Sequence, residues 1–119
     1  MKDDSLYLAD MLQRARRIEA FTRGGRDEFF ASELIQDAVI RNFEVIGEAA
    51  ARVSHELRYQ YPDVAWRKVI GFRNVLIHGY TRLSLEEVWE VVETALPHLK
   101  TQLESILRAR GIAPEQIPS

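Results

Sequence analysis

Hydrophobic residues along this chain recur at steps of three and four, the spacing that lines one side of a helix, rather than at the alternation of a strand. Leu8, Met11, Leu12, Ala15 and Ile18 form a first stripe, which begins after the capping residues Asp3 and Asp4 and stops at Gly24-Gly25. A second helix is predicted from near Ser32, with Ile35, Ala38, Asn42, Val45, Ile46, Ala49 and Val53 on its inner face and Asn42 as the polar exception. The segment Tyr59-Gln60-Tyr61-Pro62-Asp63 breaks it, because Pro62 has no N–H to donate and disfavours helix at Tyr61. Asp63 can cap a third helix running from about Val64 towards His78, and Gly79 is placed to close that helix in the left-handed conformation.

Ser84-Leu85-Glu86-Glu87 has the pattern of a capping box and restarts the chain. The last helix then carries Leu85, Val88, Trp89, Val92, Leu96, Leu99, Leu103, Ile106 and Leu107 and ends at Gly111. Pro97 interrupts it, since the ring clashes with the carbonyl of Glu93, so a kink or short break is expected there. Residues 113–119 are expected to fray. The predicted fold is all-α: an antiparallel up-and-down four-helix bundle with room for extra short helices, one domain over residues 1–119. The second and last helices carry more apolar surface than one small bundle covers, which makes them candidates for a self-associating face, and a two-fold dimer is the commonest arrangement.

Composition narrows the function classes. The chain has no Cys, so thiolate catalysis, thiolate metal sites and disulfides are excluded and a cytoplasmic setting is expected. No signal peptide or membrane span stands out, so neither secretion nor insertion is expected. A net charge of -2 argues against a salt-driven nucleic-acid coat and against stable DNA binding, so any RNA contact must be local. Only Lys2, Lys68 and Lys100 are lysines; the remaining basic residues are arginines, whose planar fork matches phosphate oxygens.

Candidate chemistry concentrates in Arg73-Asn74-Val75-Leu76-Ile77-His78-Gly79-Tyr80, at the end of the third helix beside a loop. At about 100° per residue, Asn74 and His78 share a face while Arg73 is turned about 140° from His78. A common site therefore requires the helix end to unwind or a second chain to contribute. His78 can take and give a proton near neutral pH, and Arg73 is a permanent cation able to hold phosphate oxygens. That combination suits RNA, whose 2′-hydroxyl is a built-in nucleophile, and it needs neither metal nor cofactor. The same residues also fit a purely structural helix end, where the dipole favours a last-turn His and a Gly stops the helix. His55 and His98 have no partner at i+3 or i+4 and are not read as metal ligands.

The motif resembles the signature of HepT-type toxins in the HEPN superfamily: Arg, a polar residue, three more residues, His, any residue and Tyr. Tyr7-Leu8, Asp37-Ala38-Val39, Ile46-Gly47-Glu48-Ala49, Pro62, Trp66-Arg67, Gly71, Trp89 and Leu96-Pro97 stand in the order that family shows. The resemblance implies a metal-independent endoribonuclease that forms homodimers with a cleft at the interface. It also implies a cognate minimal nucleotidyltransferase antitoxin of the MntA type, which transfers AMP to the motif tyrosine. Carried over by position, Arg73 and His78 are catalytic, Asn74 supports them, and Tyr80 is the adenylylated residue. AMP on Tyr80 would place bulk and a negative phosphate where an RNA phosphate must sit.

Thr81-Arg82-Leu83-Ser84 departs from the small apolar-plus-Asp stretch common in relatives; Ser84 keeps the helix cap, and Arg82 is read as a solvated cation. Glu48 and Asp37 are read as hydrogen-bonding partners for Arg or backbone rather than as acids in catalysis. A reading from a different class stays open: a non-catalytic helical adaptor that presents nucleotide or substrate to a nucleotidyltransferase, with Arg73 and His78 as ligand contacts only.

Overall fold

A computed structural model describes residues 3–78 and 84–118, and no strand occurs among them. Helix α1 (Asp4–Phe21) begins where the Asp3 carboxylate accepts the Ser5 N–H, and it buries Leu8, Met11, Leu12, Ala15 and Ile18, the stripe read from the spacing. A short helix, α2 (Arg26–Ala31), follows the glycine pair; Gly25 has φ 91°, a conformation L side chains rarely adopt. Phe29 on α2 is fully buried, its ring centroid 5.2 Å from that of Trp89.

Helix α3 (Glu33–Arg52) is capped by Ser32, whose hydroxyl accepts the Ile35 N–H. Its buried face is Val39, Asn42, Phe43, Ile46, Gly47, Ala49 and Ala50, rotated from the face the spacing predicts; Ile35, Ala38 and Val45 are only partly buried. Asn42 is tolerated because both ends of its carboxamide are used: Nδ2 donates to the Ala38 carbonyl at 2.7 Å, and Oδ1 accepts from Arg14 Nη1 at 3.3 Å. The chain leaves the helix at Val53, ahead of the predicted break at Tyr59–Asp63, and a separate short helix, α4 (His55–Gln60), capped by Ser54, precedes Pro62. The Asp4 carboxylate accepts both the N–H and the hydroxyl of Ser54, at 2.8 and 2.6 Å, tying the start of α4 to the start of α1.

Helix α5 (Trp66–His78) starts later than Asp63 would set it; the Asp63 carbonyl instead accepts from Gln102 Nε2. The Trp66 indole donates to the Tyr61 carbonyl at 3.0 Å and fixes the entry of the helix. Gly79, expected to close α5, lies outside the described residues, as do Tyr80, Thr81, Arg82 and Leu83.

The capping box is present at α6 (Leu85–Glu90), with Ser84 Oγ accepting the Glu87 N–H and the Glu87 carboxylate accepting the Ser84 N–H. From there the chain stays helical to Ala109, because Pro97 is accommodated by one π-helical turn, Val91–Ala95, directly before α7 (Leu96–Ala109). The Leu96 N–H reaches back to the Val91 carbonyl, so the disturbance falls upstream of the proline. Gly111, with φ 83°, closes α7: its N–H bonds the Arg108 carbonyl and the Ile112 N–H bonds the Leu107 carbonyl, the paired bonds of a Schellman stop.

Residues 113–118, expected to fray, are folded against α1. Pro114–Gln116 form a 3₁₀ turn, Pro114 is buried, and Arg16 donates to the carbonyls of Pro114 and Ile117 at 2.7 and 2.8 Å. In the bundle α1 packs on α3 and α7, and α3 packs on α5. The buried side chains form a core cluster, each large one contributing roughly 1.5–3 kcal/mol by leaving water. No helix among the described residues is long and apolar enough to cross a membrane.

Candidate functional site

Helix α5 has two characters along its length. Its first half is held by Trp66, Val69 and Phe72, with the Phe72 ring edge-on to Phe43 of α3 at 5.2 Å. Over its last five residues, Asn74, Val75, Ile77 and His78 are exposed and Leu76 alone is buried. The described part of the motif thus lies mostly exposed at the end of an anchored helix.

Arg73 leaves the helix on the side facing α3. The backbones approach so closely there that a Cβ on Gly47 would stand 2.1 Å from Arg73 Cβ and 3.2 Å from the Val69 carbonyl oxygen. The guanidinium then lies between two acceptors: Nη1 donates to Asn74 Oδ1 at 3.1 Å, and Nη2 is 3.9 Å from Glu48 Oε2. Its Nε is buried and has no hydrogen-bond partner among the described residues. Glu48 was assigned from sequence as a partner for Arg, and the structure pairs it with Arg73; Asp37 is exposed on α3. Gly47 belongs to the site for a reason that sequence reasoning missed, since only the residue facing it from α5 shows why a side chain is excluded.

His78 is the last residue of α5 and is exposed. The helix does not unwind ahead of it, so the turn of about 140° from Arg73 is retained and one chain presents guanidinium and imidazole in different directions. Of the four motif residues, the structure joins Arg73 to Asn74 and leaves His78 apart; Tyr80 lies outside the described residues.

Two concavities flank α5. An open depression of about 700 Å³ is lined by Arg58, Arg67, Lys68, Trp66, Gly71 and Asn74 among others, which places cations along the outer side of the helix and Asn74 at its edge. Arg58 is fixed there by bonds to the carbonyls of Ala51 and Val53 at the end of α3. The second, an apolar cleft of about 330 Å³ between α5 and the last helix, is lined by Phe43, Val69, Phe72, Leu96 and His98 among others and includes none of Arg73, Asn74 or His78. Among the described residues, no group of three or more acidic or His side chains lies close enough to hold a metal ion.

A model of the family described as Ribonuclease HepT-like matches residues 11–106, a span that begins within α1, ends within α7 and includes every described motif residue. The chain belongs to this family. A relative from Methanocaldococcus jannaschii, provisionally named RNase MJ1380, is 33% identical over 106 residues, covering 88% of this chain and 97% of that protein. From Thermococcus cleftensis, a protein provisionally named ribonuclease HepT is 33% identical over 101 residues, 84% of this chain and 92% of its own. A longer protein of M. jannaschii, MJ0434, named as a gamma-glutamylcyclotransferase and provisionally as an RNase, is 37% identical over 107 residues, 89% of this chain but 48% of that protein. No solved structure matches the chain.

Proposed function

We propose that this HepT-like chain is a metal-independent endoribonuclease toxin that works as a homodimer. The observation that carries the reading is the contrast between Arg73, whose guanidinium is held beside Glu48 and Asn74, and His78, exposed at the end of the same unbroken helix. A second protomer related by a two-fold axis would bring another His78 to the phosphate, answering the divergence within one chain. Val75 and Ile77, 42% and 39% exposed within the motif, supply apolar surface for that contact.

In the proposed reaction, one imidazole takes the proton of the RNA 2′-hydroxyl, whose oxygen bonds to phosphorus. The bond from phosphorus to the 5′-oxygen breaks, and that oxygen takes a proton from the other, protonated imidazole. The products are a 2′,3′-cyclic phosphate and a 5′-hydroxyl. Arg73 stabilises the charge that builds on the phosphorane oxygens, and the cationic depression along α5 offers contacts to flanking phosphates. By family position, Tyr80 accepts AMP from an MntA-type nucleotidyltransferase antitoxin. Two residues past His78, such an adduct adds a negative phosphate beside the substrate's path.

A non-catalytic adaptor that used Arg73 and His78 only as ligand contacts would cut no RNA, so the deciding experiment is direct. Purified dimer is incubated with RNA in excess chelator beside Arg73→Ala and His78→Ala. Cleavage by the wild type alone, leaving cyclic phosphate ends, supports the ribonuclease; an unmodified dimer that cuts no RNA supports the adaptor. Mass measurement after co-expression with the antitoxin, with Tyr80→Phe as control, tests the AMP transfer.

A further inference from the structure

We infer that Gly47 and Glu48 of α3 are positioning residues for Arg73, an inference that rests on the reading of Arg73 as the phosphate-gripping cation. The backbone at Gly47 occupies the space a side chain would need, with Arg73 Cβ and Cγ within 2.1 and 2.8 Å of where a Cβ would stand. Any larger residue there drives α3 and α5 apart or turns Arg73 out of its place. An alanine would otherwise favour this helix interior, so the glycine gives up helix propensity for close approach.

Glu48, one residue on, meets the far end of the same side chain. Its Oε2 stands 3.9 Å from Arg73 Nη2 while Asn74 takes Nη1, so the arginine is guided at its root by Gly47 and at its tip by Glu48 and Asn74. The carboxylate is 52% exposed and the contact is long, so the pair is weak. Such a contact orients the guanidinium when no phosphate is bound and yields to a phosphate without a large penalty. A tight bidentate pair would compete with the substrate instead. Glu48 touches no reacting atom in this scheme and acts only through Arg73.

Two measurements on the full chain test the assignment. The first is the ¹⁵N–¹H cross-peak of the buried Arg73 Nε–H, identified by its loss in Arg73→Lys. Glu48→Gln is expected to shift and broaden it, and an unchanged cross-peak would overturn the role of Glu48. The second is affinity for a 2′-O-methyl oligoribonucleotide, which lacks the attacking hydroxyl and cannot be cut. In protein with Arg73 intact, Glu48→Gln is expected to weaken binding about 3- to 5-fold, a size suited to one exposed ion pair. In Arg73→Ala protein the same change is expected to leave binding unchanged or tighten it, because only a repelling charge is removed. Equal effects in both backgrounds would show that Glu48 acts independently of Arg73. Gly47→Ala is expected to move the cross-peak further than Glu48→Gln does, and a thermal melt run beside it identifies a variant that has lost its fold. A wild type that cuts RNA with a cross-peak indifferent to Glu48 removes this inference and keeps the ribonuclease. One that binds the oligoribonucleotide but cuts no RNA, with a cross-peak that follows Glu48, does the reverse.

Discussion

Consider a dimer in which one subunit carries His78→Ala and the other is unchanged. Along α5 the five steps from Arg73 to His78 give a rise of about 7.5 Å and a turn of about 140°, which separates their Cα atoms by roughly 9 Å and points the side chains apart. Arg73 is held where it stands by its contacts with Glu48 and Asn74. One chain therefore cannot close on a phosphate from both sides, and the proposed reaction needs one His78 as base and the other as acid. Loss of either proton-transfer group costs about 10²–10⁴-fold in rate, so the heterodimer is expected to retain on the order of 1% of wild-type activity or less. The assay uses two subunits with different affinity tags, sequential purification of the mixed dimer, and cleavage of a fluorophore-quencher RNA in excess chelator. A heterodimer that keeps half the wild-type rate would show two independent one-chain sites and refute the shared cleft.

Two further outcomes concern the scaffold. Phe29→Ala removes a fully buried ring that packs against Trp89 and meets Phe30 edge-on, so urea unfolding is expected to show a loss of about 3–5 kcal/mol; a loss under 1 kcal/mol would mean α2 is not part of the core. The Asp3 carboxyl is held below its ordinary value of 3.8 by the Ser5 N–H first and by Arg110, and that of Glu115 below 4.5 by its own backbone N–H first and by the Arg108 guanidinium. Depressed carboxyls contribute stability that is fully present above those ordinary values and is lost as pH falls through the lower folded ones. Melting temperature is thus expected to fall below about pH 4 more steeply in wild type than in Asp3→Asn with Glu115→Gln; parallel curves would count against both contacts.

Long stripes were legible because a helix of several turns repeats its signal: every residue of the first stripe is buried in α1, and Val88 to Leu107 behave likewise in the last helix. Helices α2 and α4 are six residues each, under two turns, too short for periodicity to separate them from loop. The face of α3 was legible only in part: Asn42, Ile46, Ala49 and Val53 are buried as the spacing predicts, but apolar residues lie around much of the circumference, and which of the others turns inward depends on α1 and α5. The tail looked unsupported in sequence because its anchor, Arg16, lies about a hundred residues away. At the site, the motif stood out in the sequence as the candidate for chemistry. Its supports were less so: Glu48 could be named as a partner, whereas the need for glycine at 47 arises only from the distance between two helices.

The uneven burial of α5 separates a packed half from the exposed half that carries the motif. Trp66, Val69 and Phe72 fasten its first half to α3 and to the Tyr61 carbonyl, whereas Asn74, Val75, Ile77 and His78 project beyond that packing. Truncating an exposed side chain in the outer half leaves no cavity and no buried group without a partner, so its cost in stability is expected to stay within about 0.5 kcal/mol. His78→Ala should therefore melt with the wild type while losing RNA cleavage, and Phe72→Ala should do damage chiefly through unfolding. If His78→Ala instead lowered the melting temperature of the dilute, monomeric chain by several degrees, the imidazole would be a part of the packing, and its place in the chemistry would have to be given up.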